Sequence, residues 1–202
     1  MNLSIKATLS EQIHHPKQEK YIIYSEGHKS AEGIYENNKP SGEWTFYYSD
    51  DPAKIWYKLV YDTGRPKELT SYYKSGKEKR REFYDQTYHV TGKCYDQNGD
   101  EIKYTPFLIM PTCTYSLDSF LVKKLHYPEN AREQSTQGLV IIQFTIDTDG
   151  NVRNIKILRG IGGGCDEEAV RVIASLPKWT PGMQDDVTAK TLFTKPINFT
   201  LR

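Results

Sequence analysis

Apolar and polar positions follow two different rhythms along the chain, and the change between them falls near Tyr104. Upstream, short runs of aromatic and β-branched residues are separated by Asx and Gly residues. Aligned on tyrosine they read Tyr24-Ser-Glu-Gly27, Tyr35-Glu-Asn-Asn38, Tyr48-Ser-Asp-Asp51, Tyr61-Asp-Thr-Gly64, Tyr73-Lys-Ser-Gly76, Tyr84-Asp-Gln-Thr87 and Tyr95-Asp-Gln-Asn98-Gly99, with steps of 11, 13, 13, 12, 11 and 11 residues. This internal repeat predicts one strand per unit and an antiparallel β-meander overall. Helix is disfavoured, because Gly, Asn and Asp recur too often to sustain a 3.6-residue pattern.

Downstream the pattern is mixed. Residues 105–114 place an apolar run between Pro106 and Pro111, which predicts an extended connection packed across the second domain. Ser116 is the expected N-cap of a helix that carries Leu117, Phe120, Leu121 and Leu125 on one face. Pro128 fits the first turn of a second short helix, running through Arg132 and ended by Gly138. Leu139 to Ile146 alternates like a strand with one buried face, and Asp149-Gly150 predicts a tight turn to an antiparallel partner over Val152 to Leu158. A helix from Asp166 places Ala169, Val170, Ile173 and Leu176 on one side until Pro177 stops it. The final strand, Thr188 to Leu201, contains Pro196, which cannot donate to a ladder, so this strand belongs at a sheet edge.

Composition sharpens the division: thirteen of the fifteen tyrosines lie at or before Tyr104. The expected domains are therefore an N-terminal segment over 1–20, a repeat domain over 21–104 and a C-terminal domain over 115–202. Charge adds an exclusion, since 27 Lys and Arg nearly cancel 26 Asp and Glu and provide no field to hold nucleic acid. The longest apolar runs, Phe107 to Met110 and Leu139 to Ile142, fall far short of the roughly 18 residues of a membrane span. Residues 1–20 carry no secretory signal pattern, which leaves a cytoplasmic protein or one whose targeting segment was removed.

Candidate chemistry is sparse. Cys94, Cys113 and Cys165 lack metal-ligand spacing, so no metal site is expected; a Cys113–Cys165 bridge is open, with idle thiols the simpler reading. His14 and His15, adjacent on the chain, would point to opposite faces of a strand and read as solvated loop. Asp147 and Asp149 fail the calcium-loop spacing, because neither the required glycine nor the closing glutamate is present. Gly160 to Gly164 leads into a helix like a phosphate loop, but Asp166, Glu167 and Glu168 already occupy the helix start and would repel an anion. The same carboxylates push the Cys165 thiol up and argue against a reactive nucleophile.

Five features in order, Tyr127-Pro128-x-x-Ala131, Asp149-Gly150, the helix near Asp166, Pro177-x-Trp179-x-Pro181-Gly182 and Pro196-Ile197-Asn198-Phe199, resemble the C-terminal domain of the TonB family over residues 115–202. Upstream, Gly42-Glu-Trp44-Thr-Phe46-Tyr47-Tyr48 and Tyr72-Tyr73-Lys-Ser-Gly76-Lys77 resemble bacterial MORN-type repeats. Together these imply an α+β protein: an antiparallel meander, then a three-stranded antiparallel sheet with helices on one face. The TonB resemblance also implies a periplasmic or cell-envelope location, no catalysis and no cofactor. It further implies capture of a TonB-dependent outer-membrane receptor segment, the TonB box, by strand addition at the last strand. By position that edge is Thr188, Ala189, Lys190, Thr191, Leu192, Phe193, Thr194 and Lys195, with Tyr127 and Pro128 near its receptor-facing end.

Hydrogen bonds of roughly 0.5–1.5 kcal/mol each nearly cancel an ordering cost of about 1–2 kcal/mol per residue. Binding of this kind is therefore expected to be modest and reversible. The chain departs from a complete TonB in having neither an N-terminal membrane helix nor a Pro-rich spacer, and its edge is more basic than that of the family. The competing reading is a structural protein whose edge is sealed in a homodimer or by the tyrosine-rich sheet, with that sheet binding a glycan or peptidoglycan. A thiol enzyme using Cys165 is the third.

Overall fold

A computed structural model describes residues 19–201; His14 and His15 lie outside the described residues. The chain divides into two compact units that meet at Phe107 and Leu108.

Each tyrosine of the repeat lies within one residue of the end of a strand. The N-terminal unit is an eight-stranded antiparallel meander of β1 (Glu19–Ser25), β2 (His28–Glu36), β3 (Lys39–Tyr47), β4 (Ile55–Asp62), β5 (Arg65–Tyr72), β6 (Glu78–Tyr84), β7 (Val90–Tyr95) and β8 (Glu101–Ile102). Strand order in the sheet follows chain order throughout. Residues after the marker tyrosines build the turns, as the sequence pattern requires. Asp85 accepts from the amides of Thr87 and His89, and Asp96 from those of Asn98, Gly99 and Asp100. These Asx turns satisfy the backbone groups that a tight connection would otherwise leave bare.

Aromatic rings run across the strands rather than standing free: Tyr21 on Tyr35 at 4.8 Å, Tyr35 on Trp44 at 5.1 Å, and Phe46 stacked on Tyr57 at 4.3 Å. Gly33 makes room for Trp44, whose indole lies where a Cβ would be and donates to the Ile34 carbonyl. Tyrosine hydroxyls tie alternate strands together, Tyr48 to the Tyr72 carbonyl and Tyr73 to the Tyr95 carbonyl.

The expected connection over 105–114 divides between the units. Phe107 is buried against Tyr57 and Leu69, and its amide donates to the Glu82 carboxylate. The fully buried Arg80 donates to both oxygens of Thr105. Leu108–Ile109 instead forms strand β9 in the C-terminal unit, where a bridge also joins Thr112 to Thr180.

In that unit follow α1 (Leu117–Lys124), α2 (Glu129–Glu133), β10 (Gly138–Ile146), β11 (Val152–Arg159), α3 (Cys165–Ala174), β12 (Gly182–Gln184), β13 (Val187–Ala189) and β14 (Thr191–Phe199). Ser116 caps α1 by accepting from the Ser119 amide. The second helix starts after Pro128 and runs to Glu133, one residue past the expected Arg132; Ser135 then turns into the left-handed region and Gly138 opens β10.

The main sheet has the order β11-β10-β14, antiparallel throughout. Val140, Ile142, Phe144 and Ile146 of β10, with Ile197 and Phe199 of β14, face Leu121, Ala131, Cys165, Ala169, Val172 and Ile173 of the three helices in one core. All helices therefore lie on one face. In α3 Val172 is fully buried beside the expected Ala169 and Ile173, while the expected Val170 is only half-buried. The turn at Gly150 is pinned from outside: Trp179 donates to the Gly150 carbonyl, and its own carbonyl sits 1.9 Å from where a Cβ on Gly150 would be.

Candidate protein-interaction edge

β14 pairs with β10 over its whole length, from Thr191 opposite Ile146 to Phe199 opposite Gly138, and with no other strand. One bond at the β10–β11 turn fixes which of its backbone groups face away from β10. The Asp147 amide donates to the Asn151 carbonyl at 2.9 Å. In an antiparallel strand the bonding direction alternates, so odd-numbered residues of β10 bond toward β11 and even-numbered ones toward β14. Odd-numbered residues of β14 thus face β10, and Leu192, Thr194, Pro196 and Asn198 turn their backbone groups outward. Pro196, with no N–H to give, falls in the outward set, the only place a ladder tolerates it.

The other edge of the sheet is closed to pairing. β11 departs from register twice, near Leu158 and near Asn154, whose φ of +52° lies in the left-handed region. Irregularities of this kind, with basic side chains beside them, are how sheets prevent pairing at an edge. β14 has no such break in its register.

The residues expected at the edge do not all meet there. Thr191, Leu192, Phe193, Thr194 and Lys195 lie on β14. Thr188 and Ala189 belong to β13, a short strand paired with β12 in the separate sheet β13-β12-β9, and Lys190 lies between β13 and β14. The expected continuous strand breaks because Asp185 and Asp186, both at positive φ, turn a hairpin that uses up Val187–Ala189. Two adjacent aspartates were the only sign of that turn in the sequence.

Phe193 points into the core, stacked on Phe144 at 5.6 Å and tilted on Trp179 at 5.4 Å. Lys195 reaches Asp118 on α1. One helical turn on, Val122 shares the face of Asp118 and is 78% exposed. Tyr127 lies at the far end of β14, its ring edge-on to Phe199 at 5.8 Å and its hydroxyl donating to the Thr136 carbonyl. Pro128 caps α2 and packs near Gly164. Tyr127 and Pro128 therefore shape the end of the strand, while Leu192 and Thr194 present it.

The rejected chemistries have structural counterparts. Asp166 turns its carboxylate back onto the amides of Ile161 and Gly162, so the glycine loop has an internal anion. Cys165 is fully buried, and burial followed by the charges of Asp166 and Glu167 pushes its thiol up. All three cysteines are free, and Cys113 donates to the Tyr115 carbonyl. Asp147 spends its carboxylate on the amides of Asp149 and Asn151 and on Arg153. Among the described residues no group of acidic, His or Cys side chains could hold a metal ion, and no helix is long and apolar enough to cross a membrane.

Residues 123–201 match the family described as Gram-negative bacterial TonB protein C-terminal, a match that covers less than half of the chain. No curated protein and no solved structure matches it.

Proposed function

We propose that the C-terminal unit is a protein-interaction module of the Gram-negative cell envelope that captures an extended segment of an outer-membrane receptor by strand addition along β14. The observation that carries this reading is a nine-residue strand paired on one side only, beside a second edge that is bulged and basic. The family match over residues 123–201 supports the envelope setting and the class of partner.

Outward backbone groups of Leu192, Thr194, Pro196 and Asn198 supply the ladder. Their net bonds are worth roughly 0.5–1.5 kcal/mol each, against about 1–2 kcal/mol per residue to order a flexible peptide. Side-chain contacts must make up the difference, and Val122 offers an apolar one on the α1 flank of the strand. The N-terminal meander, with its MORN-like hairpins, serves as a scaffold whose rings are engaged in cross-strand contacts.

The test is an NMR titration of the full chain with receptor-derived TonB-box peptides. Shifts confined to Thr191–Asn198 and the facing side of α1 are expected. Unmoved amides on β14, with every peptide of the panel, would sink the proposal.

A further inference from the structure

We propose that the uncovered face of the β11-β10-β14 sheet is a second docking surface, along which an extended acidic polypeptide lies with carboxylates at alternate residues against Arg153, Lys156 and Arg159. In a regular strand, residues three apart point to opposite faces. Here the two breaks in register place Arg153 opposite Thr145, Lys156 opposite Gln143 and Arg159 opposite Ile141. Those three β10 residues are alternate, and all lie on the face away from the helices. The bulges thus gather three cations into one row that the bare sequence spacing would scatter.

Asp147 neutralises only one end of the row. Arg153 is held by Asp147, but Lys156 and Arg159 form no ion pair among the described residues. The rest of the face is uncharged, with Leu139, Ile141, Gln143 and Thr145 on β10 and Leu192, Thr194, Pro196 and Asn198 on β14. Two residues of β10 separate successive cations, a spacing of about 7 Å. An extended chain repeats its side chains at that same interval, so alternate carboxylates of one segment meet all three cations without adjustment. Because the bulges disrupt pairing at the β11 edge, the segment lies over the face instead of adding to the edge. The row of cations lies on β11, across the sheet from the outer edge of β14, so the two proposals are tested separately.

The probe is a synthetic peptide alternating Glu and Thr, compared by calorimetry at low salt with an isomer of equal charge whose glutamates form one block. The full chain should bind the alternating peptide at least several-fold more tightly than the isomer, with NMR shifts on β10 and β11. The exposed substitutions Lys156→Gln and Arg159→Gln together should weaken it by roughly tenfold. Lys123→Gln and Lys124→Gln together, exposed on α1 on the helix side of the sheet, should leave it unchanged. Equal binding of both isomers, indifference to the Lys156 and Arg159 substitutions, an equal loss in the Lys123 and Lys124 control, or a preference for phosphatidylglycerol-containing vesicles over the peptide would each overturn the proposal.

Discussion

Thr194→Pro separates the two sides of β14. Proline removes one N–H, and the alternation fixed by the Asp147–Asn151 bond directs the Thr194 N–H away from β10. The substitution therefore leaves the ladder to β10 intact, and the chain already accommodates Pro196 two residues on, in the same orientation. A partner strand loses one hydrogen bond, worth roughly 0.5–1.5 kcal/mol, and meets the ring where the amide hydrogen was. Affinity for a bound receptor peptide should fall by about 5- to 30-fold, the equivalent of roughly 1–2 kcal/mol, while the urea midpoint barely moves.

The paired control is Lys195→Pro. Its N–H faces Ile142 across the β10–β14 ladder, so this variant should lose about 3 kcal/mol or more of stability. Peptide affinity and urea unfolding of both variants complete the measurement. If Thr194→Pro binds the peptide as tightly as the parent, the outer edge of β14 is not the docking site. If instead it unfolds like Lys195→Pro, the assignment of outward residues is reversed.

Three further outcomes follow from individual contacts. Gly150→Ala should destabilise the C-terminal unit by about 1–3 kcal/mol in urea unfolding, since the new Cβ would overlap the Trp179 carbonyl and Gly150 sits at φ +84°. Glu32 accepts from Tyr47, Lys29 and Lys20, in that order of weight, and its carboxyl is lowered from 4.5 to about 2. A depressed carboxyl stabilises fully above its unfolded value and loses that contribution as pH falls through 4.5 toward 2. Glu32→Gln should therefore flatten the acid limb of the N-terminal unit's stability curve, and an NMR titration of the Glu32 carboxyl should show the low midpoint directly. Glu82→Gln weakens a buried carboxylate that accepts from Tyr84, Tyr104 and the Phe107 amide and should cost about 3–5 kcal/mol in thermal unfolding of the N-terminal unit.

Local chemistry in the sequence anticipated the hairpins, because a turn is specified by the residues that make it. Tyr84-Asp85 and Tyr95-Asp96 spell out an Asx turn whose bonds close within four residues, and Asp149-Gly150 does the same for β10 and β11. What the sequence hid depends on neighbours brought from elsewhere. Val172 is buried in the core that α3 shares with the sheet, whereas periodicity alone pointed to Val170. Phe107 looked like part of a connection, yet Glu82 and Arg80, 25 residues upstream, draw the segment onto the first sheet. Of the candidate edge, the half on β14 was legible from Pro196. The half on β13 was not, because Asp185-Asp186 lacks the glycine that marks such a turn, and both residues adopt positive φ without one.

The two edges of the C-terminal sheet differ in how they offer their backbone groups. A three-stranded sheet has two exposed rows of backbone groups, and leaving both regular would invite chains to pair indiscriminately. Here β11 accepts a left-handed Asn154 and a second irregularity near Leu158, which removes its row from play. β14 keeps an unbroken register but places Pro196 in it, so a pairing strand finds a donor missing at one fixed position. A second copy adding antiparallel at β14 around its centre would bring this gap, and the Lys195 of each copy, close to one another. A partner whose segment needs no donor at that point, and whose residues beside Val122 are apolar, meets neither penalty. Under the proposed strand addition, this asymmetry predicts a foreign strand rather than a second copy at β14, and it rests on two residues, Asn154 and Pro196, on opposite edges.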